Sequence, residues 1–462
     1  MPPSLLTELS YRPDSASLFE AIADRPWAVF LDSGAHHPAQ SRYDLFSAQP
    51  YVRLVTRGGL TEIHSDTVLL TRDDPFTVVR QYLEIDPACG NTLPFCGGAI
   101  GYLGYDLARR IEKLPSIAHD AERIPDMVIG IYDWAVVVDH VERRTWLVGQ
   151  GRDPETDLKW DALVTLFSNP PPERTRTPFR VTSSVVSNMT RETYSRAFDS
   201  IRHYIAEGDC YQVNLAQRFS AQAAGDPWLA YQALRVLNPA PYAAYLNTPY
   251  AHVLSASPER FVQVRDGRVE AKPIKGTRPR AGHARLDVEL IEALRASAKD
   301  RAENVMIVDL LRNDLSKSCR LGSVQVPKLF DVESFATVHH LVSTVTGELR
   351  ADRDAIDLLR GAFPGGSITG APKLRAMQII EELEPHRRGV YCGAIGYLGF
   401  DGNMDMNIAI RTAVYTRGEI RFWAGGGIIA DSKCEEEYQE TFDKAAAMLK
   451  LMQQFAVSQA SA

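Results

Sequence analysis

Two stretches far apart in the chain are near copies of one another. Cys96-Gly97-Gly98-Ala99-Ile100-Gly101-Tyr102-Leu103-Gly104-Tyr105-Asp106 matches Tyr391-Cys392-Gly393-Ala394-Ile395-Gly396-Tyr397-Leu398-Gly399-Phe400-Asp401. Each reads as a glycine-rich strand, and glycine inside a strand marks a close approach of another backbone. Residues 1 to about 150 read mainly as short strands. Trp27–Leu31 and Trp134–Val138 are apolar runs of buried-strand type, bounded by turn residues. Further on, Thr190 starts a helix with Glu192 in its first turn and Tyr194, Phe198, Ile201 and Ile205 on one face. Asp209–Leu215 then reads as a strand. Strands and helices keep mixing to the end, so the expected class is α+β or mixed α/β.

The proline-rich stretch from Asn169 to Pro178 is unlike either element and reads as a linker. It divides the chain into an N-terminal region, 1–168, a linker, 169–182, and a larger region, 183–455. A net charge of −7 disfavours general binding to nucleic acid or anionic membrane, although a locally basic site could still take a small anion. Six cysteines without CxxC or zinc spacing suggest free thiols in a reducing cytosol. No signal-peptide pattern and no membrane-length apolar run is present, so a cytoplasmic protein is expected.

Several local patterns carry chemistry. Lys275 sits between Pro273 and Gly276, with Lys272, Arg278 and Arg280 close by. Like charges and burial both lower a lysine pKa, which would make Lys275 a nucleophile rather than part of a basic surface loop. Asp300 with Glu303, and Glu437 with Glu440, are i,i+3 acidic pairs on expected helices. Such faces need neutralising unless they are simply solvated; all-oxygen donors favour Mg²⁺, Ca²⁺ or Mn²⁺ over Zn²⁺, and few carboxylates with room for water and substrate suit Mg²⁺ best. Gly365–Lys373 resembles an anion loop entering a helix, with the hydroxyls of Ser367 and Thr369; Ala371 and Pro372 break any Walker pattern. Gly425, Gly426 and Gly427 read as a second glycine-rich turn. Arg411, ending an apolar strand, needs an anion: a ligand carboxylate or an internal acid. Glu259, after the strand at Val253, is a candidate acid or an ion pair with Arg260. His340 is a ligand-orienting residue or a core histidine.

Together these runs resemble the chorismate-utilising enzymes. The matching pieces are Ser257–Phe261, Pro273–Thr277, Glu303 with Val308–Asp314, His340–Ser343, Thr369–Lys373, Arg411-Thr412, Ala424–Gly427 and Glu437–Thr441, in the family's order. Pro-Ile-Lys-Gly-Thr at 273–277 is similar to the aminodeoxychorismate synthase component I branch, where anthranilate synthases have alanine for Lys275. The run from Asp32 through His37-Pro38 to Asp44 is also similar to that branch.

The resemblance implies two large, mostly antiparallel sheets packed face to face with helices outside. It implies conversion of chorismate and ammonia to 4-amino-4-deoxychorismate, a precursor of 4-aminobenzoate and folate. By the same likeness, Mg²⁺ binds Glu303 and Glu440, with Asp300 and Glu437 acting through water. Arg411, Tyr391 and Gly425–Gly427 hold the enolpyruvyl carboxylate. Gly276, Thr277, Ser367 and Thr369 line the ring, with His340 nearby and Lys444 a further substrate-binding residue. Lys275 is the nucleophile and Glu259 the acid. No Gly-x-Cys-x-Gly elbow is present, so a separate glutamine amidotransferase subunit is expected to supply ammonia. Ser33, Arg42, Tyr43, Pro241 and Tyr242 match the part where relatives hold tryptophan. The rivals are anthranilate, isochorismate or salicylate synthases, which Lys275 disfavours, and a non-catalytic binding subunit, which the intact acidic pairs disfavour.

Overall fold

The computed structural model describes residues 5–34, 42–86, 92–172, 174–335 and 338–457. His37, Pro38, Ser41 and Cys89 lie outside them. Their strands form two sheets, one of 13 strands and one of 12, with antiparallel strand pairs. The runs read as buried strands are strands, Ala28–Asp32 and Trp134–Asp139. One hydrophobic cluster joins the sheets: Val29, Leu45 and Val137 of the first meet Tyr102, Ile129 and Ile395 of the second. Phe30, the neighbour of Val29, belongs to a different cluster, as strand alternation requires. There, Phe30, Phe46 and Tyr245 pack under Trp228 and Leu234 of the helix Pro227–Leu237 and Met448 and Leu451 of the helix Cys434–Gln454. Each large apolar side chain buried in this way contributes about 1.5–3 kcal/mol.

The echoed segments are direct neighbours. Strand Gly98–Leu103 pairs with strand Ala394–Gly399, and Gly101 stands opposite Gly396. A Cβ on Gly101 would run into the Val128 carbonyl oxygen, and one on Gly396 into that of Asp405, each on the next strand out. The glycines are therefore set by crowding between three adjacent backbones.

Regions on either side of the 169–182 segment contribute to both sheets. Ala28–Asp32 pairs with Tyr242–Asn247 in the first, as Gly98–Leu103 pairs with Ala394–Gly399 in the second. The segment itself ends in the two-residue strand Arg180–Val181 against Ala223 and Ala224.

The helix Arg191–Ala206 is capped by Thr190, whose hydroxyl accepts from the Thr193 amide, and it buries Tyr194, Phe198 and Ile201. The following strand starts at Gln212, later than the expected Asp209, and runs to Ala224. Asp300 and Glu303 lie on the helix Ala298–Ser316, Glu437 and Glu440 on Cys434–Gln454. Cys96, Cys210, Cys319, Cys392 and Cys434 are free. No described helix is long and apolar enough to cross a membrane.

Candidate active site

Lys275 lies on the edge strand Ile274–Pro279, which pairs with Val338–Glu348 so that Thr277 faces His340. Between them the chain bends at Gly276, at φ +81°, where a Cβ would press to 2.9 Å from Asp300 Cγ and Leu294 Cδ1. The helix Ala298–Ser316 packs on these strands and carries Glu303 to Lys275, with Nζ and Oε1 2.7 Å apart. The cations near Lys275 in sequence are engaged elsewhere: Lys272 with Glu333, Arg278 with Asp300, and Arg280 with Asp287.

This reverses the expected electrostatics. Burial alone would lower the Lys275 pKa, but Glu303, then Glu259 and Glu440, outweigh it and the shift is upward. The same pair holds Glu303 low despite its own burial, through the Lys275 charge and hydrogen bond. Lys275 is thus an ammonium clasped by carboxylates.

Glu259 follows the strand His252–Ser257 and is 6% exposed. Burial raises its pKa, opposed by a hydrogen bond from Ser367 and by the charge of Lys275. It is not paired with Arg260, which binds Asp405 at 3.0 Å and Glu270 at 2.8 Å. Ser367 lies in the short turn Gly366–Ile368, and its carbonyl accepts from Lys275 Nζ at 3.5 Å. One residue therefore touches both Lys275 and Glu259.

The rest of that loop is less open than its sequence implies. The Thr369 hydroxyl donates to the carbonyl of Gly365, 3.0 Å away. Lys373, the first residue of the helix Lys373–Leu383, turns to Asp314 and the Ala362 carbonyl, both at 2.6 Å. It does not serve as the loop's cation.

Gly425, Gly426 and Gly427 form no turn. They lie within the strand Glu419–Ile428, opposite Ala216, Leu215 and Asn214. A Cβ on Gly425 would strike the Leu215 carbonyl, and one on Gly427 the Gln212 amide. At Gly426 a Cβ would lie 3.2 Å from Glu437 Oε2 and 3.3 Å from Glu440 Oε1, so the bare backbone makes room for two carboxylates. Lys444 binds Glu440 at 2.6 Å and the Gly425 carbonyl at 3.0 Å; Lys299 stands 3.7 Å from Glu437. Glu437 is buried, which raises its pKa, as does Glu440; a hydrogen bond from Ser432 opposes this.

Among the described residues no three acidic, histidine or cysteine side chains close on one point as a finished metal cage. The donor set still fits a hard dication. Glu303, Glu437 and Glu440 are all carboxylates, and lysine ammoniums already supply positive charge around them. Asp300 bonds to Arg278 at 3.1 Å.

His340 shares a 2.8 Å hydrogen bond with Thr277 through Nδ1. Burial, with the nearby Arg411 charge, pushes its pKa down to about 3, so it is neutral. Arg411 sits at φ +48° between the strands Met404–Ile408 and Thr412–Thr416. Burial lowers its pKa too. Its hydrogen bond is to Asn238, at 3.4 Å, and among the described residues no acid lies within ion-pair distance. The internal-acid explanation for Arg411 therefore falls, leaving a guanidinium that lacks an anion. Tyr391 is buried and stacked on Trp423, ring centroids 5.9 Å apart.

Sequence reading missed Asn214, which hydrogen-bonds the Ser367 carbonyl, and Gln212, which bonds Asn214. A polar i,i+2 pair on one face of a buried strand was the available signal. It also missed Lys299 beside Glu437.

Away from this cluster is a cavity of about 460 Å³ between the sheets. Ser33, Arg42, Tyr43, Pro241 and Tyr242 all line it, brought together from both sequence regions.

The family model described as chorismate binding enzyme matches residues 35–450. The chain is 50% identical over 444 residues to aminodeoxychorismate synthase component 1 from Klebsiella aerogenes, covering 95% of this chain and 97% of that protein. It is 39% identical over 444 residues to the Bacillus subtilis (strain 168) protein of the same name, covering 94% of each. Anthranilate synthase component I from Streptococcus pneumoniae TIGR4 superposes with a TM-score of 0.80 at 33% identity, over 88% of this chain and 92% of that one. The match spans every residue of the cluster around Lys275, and the chain belongs to the chorismate-binding enzymes.

Proposed function

We propose that the chain makes 4-amino-4-deoxychorismate from chorismate and ammonia, with Lys275 as nucleophile and Glu259 as acid. The observation that carries this is the meeting of Lys275 and Glu259 at Ser367. The relatives named aminodeoxychorismate synthase component 1 support the same reading.

In this reading the Lys275 amine, once neutral, attacks C2 of chorismate. The ring double bonds shift, the C4 hydroxyl leaves, and Glu259 gives it the proton to depart as water. Ammonia then adds at C4, the double bonds shift back and the Lys275 amine is expelled. The covalent step splits one difficult displacement into two easier ones. Arg411 holds the enolpyruvyl carboxylate, since a buried guanidinium without an acid needs one. Neutral His340, held by Thr277, borders the ring.

Glu303 and Glu440 would hold Mg²⁺, with Asp300 and Glu437 at its edge. When bound, the ion would neutralise these carboxylates and anchor the ring carboxylate. Gly426 leaves the space in which Glu437 and Glu440 sit. The relatives' designation as component 1 supports a second component as partner, and a glutamine amidotransferase is the chemistry that would supply ammonia.

The test is product analysis with chorismate, Mg²⁺ and ammonium, comparing wild type with Lys275→Ala. Aminodeoxychorismate from wild type, lost or diverted towards anthranilate in the variant, is the expected result. Anthranilate or isochorismate from wild type would move the chain to a neighbouring branch. Turnover of pure protein with glutamine alone would dismiss the partner.

A further inference from the structure

Gln212 and Asn214 project from one face of the strand Gln212–Ala224 and form a relay that ends at the reacting groups. Gln212 Nε2 donates to Asn214 Oδ1 at 2.9 Å. Asn214 Nδ2 donates in turn to the Ser367 carbonyl at 3.1 Å. That carbonyl is the one that also accepts from Lys275, and the Ser367 hydroxyl is bonded to Glu259. The direction of the relay is self-consistent: with its oxygen engaged by Gln212, the Asn214 amide can only offer NH₂ to Ser367.

The relay is fixed at both ends. Gln212 is fully buried, and its amide lies so close to Gly427 that a Cβ there would collide with it. Behind the strand, the buried Arg388 guanidinium donates to the Asn214 backbone carbonyl at 3.0 Å and to the Ile368 carbonyl at 2.9 Å. Glu384 holds Arg388 with both oxygens, at 2.9 and 2.6 Å, and also accepts from the Ala216 amide at 2.9 Å. The strand and the Ser367 turn are thus riveted by one guanidinium, and Asn214 bridges the same gap from the site side.

We propose that Asn214 is a positioning residue. Through the Ser367 carbonyl it fixes where the Lys275 amine stands relative to the Glu259 carboxyl, and Gln212 holds the Asn214 amide in the donating orientation. Gly427 serves this relay as well as the strand pairing. The proposal rests on the reaction given above for the identity of the product, and on geometry alone for the role of Asn214.

The experiment uses the full chain with chorismate, Mg²⁺ and ammonium, and compares wild type with Asn214→Ala and Asn214→Asp. The aspartate keeps the shape and the acceptor for Gln212 but has no donor for Ser367. Loss of one such hydrogen bond in the transition state should lower kcat by about tenfold to a hundredfold in both variants. KM for chorismate should change by less than about threefold, because the binding of the ground state is untouched. The thermal midpoint of Asn214→Asp is measured alongside; a folded protein with reduced kcat supports the relay. Wild-type kcat in either variant, or a loss that appears only as raised KM, overturns it. If wild type forms a different chorismate product, the reaction assigned above fails, and the ratio of rates for that product still decides the role of Asn214.

Discussion

Lys275 is held 2.7 Å from Glu303, so its ammonium is paired before a substrate arrives. Attack requires the neutral amine, gained as pH rises through a value that Glu303 keeps high against burial. Glu259 must be protonated, a form lost as pH rises through its burial-raised value. The kcat/KM profile should therefore climb to a break set by Glu259, level off, and fall beyond a break set by Lys275. Glu259→Gln should lower the rate by about 10²–10⁴-fold, and its residual rate should climb with pH without the plateau. A plateau that survives in Glu259→Gln would show that another group supplies the proton.

Removal of metal should stop product formation. Dialysis against EDTA is expected to abolish turnover, and added Mg²⁺ to restore it. Glu440→Gln, which removes one negative charge from the pair facing Gly426, should raise the Mg²⁺ concentration for half-maximal binding by about 10–100-fold in calorimetric titration. Full turnover in EDTA would exclude the metal.

The cavity of about 460 Å³ should take tryptophan. Its wall offers the Tyr242 ring beneath the Arg260 guanidinium, 5.0 Å from the ring centroid, and the Tyr43 ring beneath Arg42, at 4.8 Å. Equilibrium dialysis is the direct measurement, with Tyr242→Ala expected to weaken binding. No binding at millimolar ligand would reject the site.

Gly396→Ala should destabilise the chain by about 1–3 kcal/mol, because its methyl group must displace the Asp405 carbonyl of the adjacent strand. Chemical denaturation measures this, and an unchanged midpoint would mean that the strands part without cost.

The fold was legible where a requirement is repeated locally. The glycine echo showed two crowded strands, although not that they are partners. Glu303 and Glu440 lie on the expected helices, where i,i+3 spacing puts each on one face with its acidic partner, and the Thr190 cap and its apolar face marked the helix Arg191–Ala206. Signals misled where the deciding atom lies far away in sequence. Lys275 was surrounded by cations along the chain, but Glu259, Glu303 and Glu440 govern its charge. Gly425–Gly427 looked like a turn because glycine is commonest there; the crowding comes from Gln212 and Leu215 on the partner strand. Arg411 could be judged only once the described residues around it were known to hold no acid within pairing distance. The cavity residues were recognised from the family likeness, since nothing in their own spacing brings Arg42 to Tyr242.

The two joins across the linker, Ala28–Asp32 with Tyr242–Asn247 and Gly98–Leu103 with Ala394–Gly399, have a mechanical consequence. Each sheet is two blocks of neighbouring strands, one from either side of the linker, joined along a single strand pair. A protease that nicked the exposed segment near Arg174 would cut the chain and leave both joins paired, so the fragments should stay together through gel filtration. The halves also share one hydrophobic cluster, in which Val29 and Val137 from one side of the linker meet Ile395 from the other. Heat should therefore dissolve them together, in one calorimetric peak rather than two.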